Sequence, residues 1–170
     1  HKTEKEETIR IEDIINDDVK FIDFLPLYSI KAACGYFGEG DDVTELGWVQ
    51  ATGVGKLNKN MFIVQASGQS MEPRIHNGDL CVLRTNPSGS RHGKIVLIQH
   101  HNYYDADYSG AYSIKEYKSS KSFDEFGNWQ HEKIELHPLN KNFDPIIINA
   151  DEADDFRVIG EFIGVIEQQT

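Results

Sequence analysis

The sequence predicts a mainly β fold, on three observations. Short runs rich in β-branched and aromatic residues recur from Leu46 onward: LGWVQ, MFIVQA, LCVLR, KIVLIQ, YSIKEY, KIELH, PIIIN and FRVIGEFIGVI. Turn-forming clusters separate them, among them NPSGSRHG, DADYSG, FDEFGN and ADEADD. No long amphipathic helical period interrupts the series. Many short strands with little helix fit a partial barrel or packed sheets. The 170 residues suit one domain with a real core.

Residues 1–30 are charged, with apolar residues scattered among them, and are expected to be an N-terminal arm or linker. The domain proper is expected over 31–170. EDIINDD can form one helical turn. LPLYSIKAACGYFGEGDD, residues 25–42, consists mostly of small residues and turn formers and ends acidic. It reads as an extended or loop segment. NYYDADYSGAY, residues 102–112, reads as a tyrosine-rich loop tip or hairpin, with a contact surface as the other reading.

Charge and composition exclude several function classes. The formal net charge is -11 and no Lys/Arg-rich block is present, so these residues are not expected to bind a phosphate backbone. Two cysteines, Cys34 and Cys81, give neither a disulfide framework nor zinc spacing. A reducing cytoplasm is the expected location. The seven histidines are scattered, and the adjacent His100 and His101 would face opposite sides of a strand. No metal and no cofactor are expected. No apolar run approaches the roughly 20 residues of a membrane span, and no basic-then-apolar start suggests a signal peptide. The first residue is His, which fits a piece cut from a longer protein.

FIVQASGQSMEPRIHNGDLCVL, residues 62–83, places Ser70 in a polar turn between two apolar strands. Taken singly, its residues have plain readings: Ser70 as a turn serine, Met71 as a core contact, Gly78-Asp79 as an ordinary turn. Cys34 likewise reads as a small buried thiol. A reactive serine needs a base. The many His and Asp residues leave a triad open, although no GxSxG elbow surrounds Ser70. The other route is a lysine made neutral by burial. Such a lysine belongs on an apolar strand, and Lys115 in AYSIKEY fits, sharing one face with Ser113 and Tyr117. Lys118 and Lys121 lie in a polar run, Lys94 follows a glycine turn and Lys133 begins a strand.

ASGQSMEPRIHNGDL resembles the nucleophile motif of the LexA/UmuD-like self-cleaving Ser–Lys peptidases, the C-terminal domains of LexA-type and phage repressors. Further segments follow in the family's order. YSIKEY resembles the strand of the catalytic lysine. IELHPLNKNFDPIII resembles the next segment with its L-x-P-x-N core. FRVIGEFIGVI resembles a closing strand that commonly builds a dimer interface. Upstream, AACGYFGEG is similar to the cleavage site, which here would be Cys34–Gly35 with Ala33 before it. The Cys-Gly bond and the LPLYS run are similar to the UmuD-like branch. The resemblance covers roughly residues 25–167.

The resemblance implies a LexA C-terminal-domain-like fold of packed, strongly bent sheets. It implies catalysis by Ser70 and Lys115. The turn itself suggests the backbone N–H groups of Ser70 and Met71 as an oxyanion hole. Lysine's ordinary pKa of about 10.4 keeps it charged in water, and burial lowers that value. A switch follows: the arm docks over Lys115 and buries it, and small residues at the bond let the backbone approach Ser70. The implied setting is an SOS-response transcriptional regulator stimulated by a RecA filament. Its homodimer would form through Phe156–Ile166, and DNA would be bound only by a domain outside this chain. Three other settings stay open: a UmuD-like accessory subunit of a translesion polymerase, a regulatory module fused to a nuclease or helicase, and a noncatalytic dimerising scaffold. The chain departs from compact members by insertions at 101–113 and 118–133, which are candidate contact surfaces.

Overall fold

Ten strands form one mixed sheet in the computed structural model, which describes residues 9–85, 89–100, 111–148 and 156–167. The strands are β1 (Ile11–Glu12), β2 (Phe24–Tyr28), β3 (Gly47–Gln50), β4 (Met61–Gln65), β5 (Leu80–Arg84), β6 (Ile95–His100), β7 (Tyr112–Phe123), β8 (Trp129–His137), β9 (Ile146–Ile148) and β10 (Phe156–Val165). Their spatial order is β1-β3-β2-β4-β5-β10-β6-β7-β8-β9. The β2–β4 pairing is parallel and the other ladders are antiparallel. The expected mainly β fold is what forms, and each of the eight runs read from Leu46 onward contributes a strand.

The continuous apolar runs of β4 and β5 have a direct cause: both faces of these strands are covered. Met61, Ile63, Leu80 and Val82 point into one cluster with Leu25, Leu27 and Val49. Phe62, Val64, Cys81 and Leu83 point into the other, with Ala33, Cys34, Leu97 and Ile114. Alternation along the pleat sorts the two sets. A third cluster, built on Val96, Ile98, Tyr117 and Leu136, covers the opposite face of the β6–β8 half.

Two glycines shape β10. Its register against β6 shifts between Val158 and Gly160, and against β5 between Phe162 and Gly164. Such bulges bend a strand and increase its twist. At Gly160 a Cβ would sit 3.2 Å from the Arg84 carbonyl oxygen and 3.3 Å from Phe62 Cζ, so the bare backbone makes room for that ring. β10 pairs on both sides, with β5 and β6. Contact of a second molecule with this strand is therefore confined to side chains.

Two stretches differ from expectation. Residues 25–42 are not an extended or loop segment throughout. Phe24–Tyr28 is a strand between β3 and β4, so part of the expected arm belongs to the sheet. Ile30–Glu39 is a helix, α1. Ser29 Oγ accepts from Ala32 N at 3.1 Å at its start, and Gly40 ends it in the left-handed region at φ 73. Composition hid this helix because its glycines argue against one. Packing overrides that weak preference: Ala33 and Cys34 are fully buried, and the Phe37 ring stacks on Phe62 at 4.3 Å. The turn expected in EDIINDD is a 3-10 turn over Asp17–Val19.

The insertion expected at 118–133 lengthens β7 and β8 into a hairpin beyond the end of β6, closed by a turn in which Asp124 Oδ1 accepts from Phe126 N and Asn128 N. Of the 101–113 insertion, residues 101–110 lie outside the described residues. No helix among the described residues is long and apolar enough to cross a membrane.

Phe62 is fully buried against the Phe37 and Tyr28 rings and the Gly160 backbone, so Phe62→Ala should cost about 3–5 kcal/mol. Urea unfolding followed by tryptophan fluorescence measures it.

Candidate active site

β8 stops pairing with β7 at Glu116↔His137, and Pro138 then turns the chain away. The next stretch of β7, residues 112–115, is therefore paired only with β6. In that ladder Lys115 is opposite Val96, and Tyr117 N donates to Lys94 O at 2.8 Å two positions on. The antiparallel alternation then aims the Lys115 backbone groups at β6 and the Ile114 carbonyl at the vacated edge. The Ser70 turn lies at that edge.

Lys115 Nζ donates to Ser70 Oγ at 3.0 Å and to the Ile114 carbonyl oxygen at 3.3 Å. Both side chains are buried, each residue 3% exposed. Two residues 45 positions apart are brought within hydrogen-bond reach, the distance at which a base can take a proton from a nucleophile. The pair sits at the meeting point of two clusters: Met71 packs with Ala66, Ile75 and Leu97, while Val96 and Tyr117 flank Lys115 on its own strand face.

The Ser70 turn is braced from both sides. On one side stands the Asn77-Gly78-Asp79 turn. Asn77 Oδ1 accepts from Gly68 N at 2.9 Å, and Gly78 N donates to Ala66 O at 2.9 Å. Asp79 Oδ2 accepts from His76 N at 2.7 Å. On the other side stands Asn140, whose backbone N–H donates to Ser70 O and whose Nδ2 donates to Gln69 O, each at 3.0 Å. Within the turn, Glu72 N donates to Gln69 O, while Arg74 N and Ile75 N donate to Met71 O. Among the described residues no acceptor takes the N–H groups of Ser70 and Met71.

The expected cleavage residues lie elsewhere. Ala33, Cys34 and Gly35 are inside α1, and the first two pack on the cluster that holds Ile114 and Leu97. Because neighbours on a strand point oppositely, that is the face of β7 away from the Lys115 stem. The structure thus brings Ser70 and Lys115 together and holds the Cys34–Gly35 bond apart in a helix. Lys115 is buried while α1 packs on the other face, so its burial does not come from a docked arm, as the expected switch had it. The C-terminal end of α1 is tied down by Gln99 Nε2 donating to Glu39 Oε1 at 3.2 Å and by Arg157 donating to the Gly38 carbonyl.

Two residues of the site had no role in the sequence reading. Asn140 was visible only as part of the L-x-P-x-N run. His100 is fully buried, with Nε2 3.0 Å from the Oγ of buried Ser113, two residues before Lys115 on the same strand face. The two-residue spacing of Ser113 and Lys115 was the one available signal for it.

Residues 26–163 match the peptidase S24-like family. The chain belongs to this family. It is the family of LexA, UmuD and phage-repressor self-cleaving serine peptidases, and the match spans both the Ser70 turn and the Lys115 strand. A search of the curated proteins gives no match.

Burial pushes the Cys34 thiol up to about 12, with the Glu39 carboxylate adding to the rise. It pushes Cys81 up to about 12 as well, with Asp79 adding and Arg74 opposing. Exposed thiols release their protons near 9.0. Above that pH the unfolded chain binds fewer protons than the folded one, so stability falls as pH rises from about 9 toward 12. Urea midpoints should drop more between pH 8 and pH 10.5 for the wild type than for a Cys34→Ala/Cys81→Ala variant.

Proposed function

We propose that this chain is a self-processing serine peptidase domain that cuts its own Cys34–Gly35 bond with a Ser70–Lys115 dyad. The observation that carries the reading is the buried 3.0 Å contact between Lys115 Nζ and Ser70 Oγ. A buried amine held on a serine hydroxyl is the arrangement a lysine base needs.

The chemistry runs as follows. Uncharged Lys115 accepts the Ser70 proton as Oγ attacks the Cys34 carbonyl carbon. The N–H groups of Ser70 and Met71 face the oxyanion that forms. The Lys115 ammonium then gives its proton to the Gly35 nitrogen, and the Cys34–Gly35 bond breaks. Water, deprotonated by Lys115, frees Cys34 from the Ser70 ester.

The scissile carbonyl cannot reach Ser70 while α1 is helical and on the far face of β7. Cleavage therefore starts from a state in which α1 has undocked and extended. Alkaline pH favours undocking, because a released Cys34 ionises near 9.0 rather than about 12.

In this reading the domain serves a LexA-like, SOS-type transcriptional regulator in the cytoplasm. A RecA filament is its trigger, and DNA is bound only by a part outside these residues. A homodimer would form through the side chains of Phe156–Ile166. A UmuD-like polymerase accessory subunit is the second reading, favoured by the Cys-Gly bond and the LPLYS run. The same switch in a nuclease or helicase fusion is a third.

Incubation at rising pH should produce slow cleavage that accelerates above about pH 9, where a released Cys34 ionises. Mass spectrometry should place the new N-terminus at Gly35. Ser70→Ala and Lys115→Ala should each abolish the product, and an unchanged rate in either refutes the dyad.

A second measurement separates undocking from chemistry. Arg157→Ala, which releases the Gly38 carbonyl, should raise the cleavage rate several-fold. It should speed iodoacetamide labelling of Cys34 at pH 8 by a similar factor.

A further inference from the structure

We infer that Asn140 is a positioning residue that aims the oxyanion-binding N–H groups of the nucleophile turn. The inference rests on the function proposed above and adds a residue to its machinery.

A trans peptide is planar, with its C=O and N–H pointing in opposite directions. Fixing a carbonyl therefore fixes the N–H of the following residue. Asn140 holds two consecutive carbonyls of the turn. Its backbone N–H donates to Ser70 O at 3.0 Å, which directs the Met71 N–H away from Asn140. Its side-chain Nδ2 donates to Gln69 O at 3.0 Å, which directs the Ser70 N–H the same way. Neither of these N–H groups has an acceptor among the described residues. One residue thus sets both donors parallel and leaves them open.

The Asn140 amide is itself held in one orientation. Its Oδ1 accepts from Asn142 N at 3.0 Å, which leaves Nδ2 as the group facing Gln69. Its carbonyl accepts from Phe143 N at 3.1 Å, closing a tight turn after β8. Gln69 O has a second donor, Glu72 N at 3.2 Å, within the same turn. Loss of the Asn140 side chain therefore loosens the Gln69–Ser70 peptide without freeing it. The backbone bond to Ser70 O survives any side-chain change, so only the Ser70 donor is affected.

Outright removal of one oxyanion donor costs about 10²–10³ in rate. A donor that is misaimed rather than removed should cost less, about 10- to 100-fold. The experiment compares wild type, Asn140→Ala and Asn140→Asp. Asn140→Asp keeps the acceptor for Asn142 N and replaces the donor to Gln69 with an oxygen. Self-cleavage across pH and labelling of Ser70 by a fluorophosphonate probe are followed together, with Ser70→Ala as the blank.

Both variants should lose rate by that factor in both assays. The midpoint of the pH–rate profile should stay where it is in the wild type, since Lys115 and its contact are untouched. A general loosening of the turn would instead move Ser70 relative to Lys115 and shift the profile. An active wild type with either folded variant within threefold of it overturns the inference alone. A shifted midpoint does the same. A wild type that neither cleaves nor labels overturns the function and this inference with it. Should Asn140→Ala not fold, Asn140→Asp decides, because its backbone and Oδ1 bonds remain.

Discussion

A lysine ammonium or amine cannot be left buried without partners, and that constraint organises the site. Lys115 is buried on the strand β7, between apolar neighbours. Burying such a group without hydrogen bonds costs several kcal/mol or drives it to neutrality. Its partners include the Ser70 hydroxyl and the Ile114 carbonyl. The carbonyl is available only because β8 has ended, and the hydroxyl only because the nucleophile turn fills the space that β8 leaves. Strand length, turn placement and a satisfied amine are thus one arrangement.

The same arrangement explains why the turn is braced so heavily. A turn of this kind is held in one geometry by its backbone hydrogen bonds as well as by side-chain burial. Hydrogen bonds from Asn77 on one flank and Asn140 on the other hold the backbone. Both come from segments ordered by the sheet. The glycine bulges of β10 bend that sheet so that β5 and β6 can pair with one strand.

The helical state of α1 adds a second constraint. A peptidase reads an extended backbone, and a helix satisfies its own carbonyls and amides internally. Ala33, Cys34 and Phe37 gain burial in the helix, and Arg157 and Gln99 hold its end. On the proposed reading, placing the small residues in a packed helix keeps the Cys34–Gly35 bond from Ser70. The near absence of solvent at Ser70, 3% exposed, works in the same direction.

The sequence by itself determined the strands from Leu46 onward, because period-two patterns and turn clusters are local signals. It also determined the candidate pair, through a serine in a polar turn and one lysine on an apolar strand. It did not reveal α1: Gly35, Gly38 and Gly40 argue against a helix, and only packing against Phe62 and β10 outweighs them. Nor did it place Phe24–Tyr28, whose burial depends on strands joining it from both sides. The tertiary structure alone decided the work of Asn140 and the pairing of His100 with Ser113. A hydrogen bond across 71 or 13 residues leaves no periodic trace in the chain, since it depends on where two backbones meet rather than on either one's pattern.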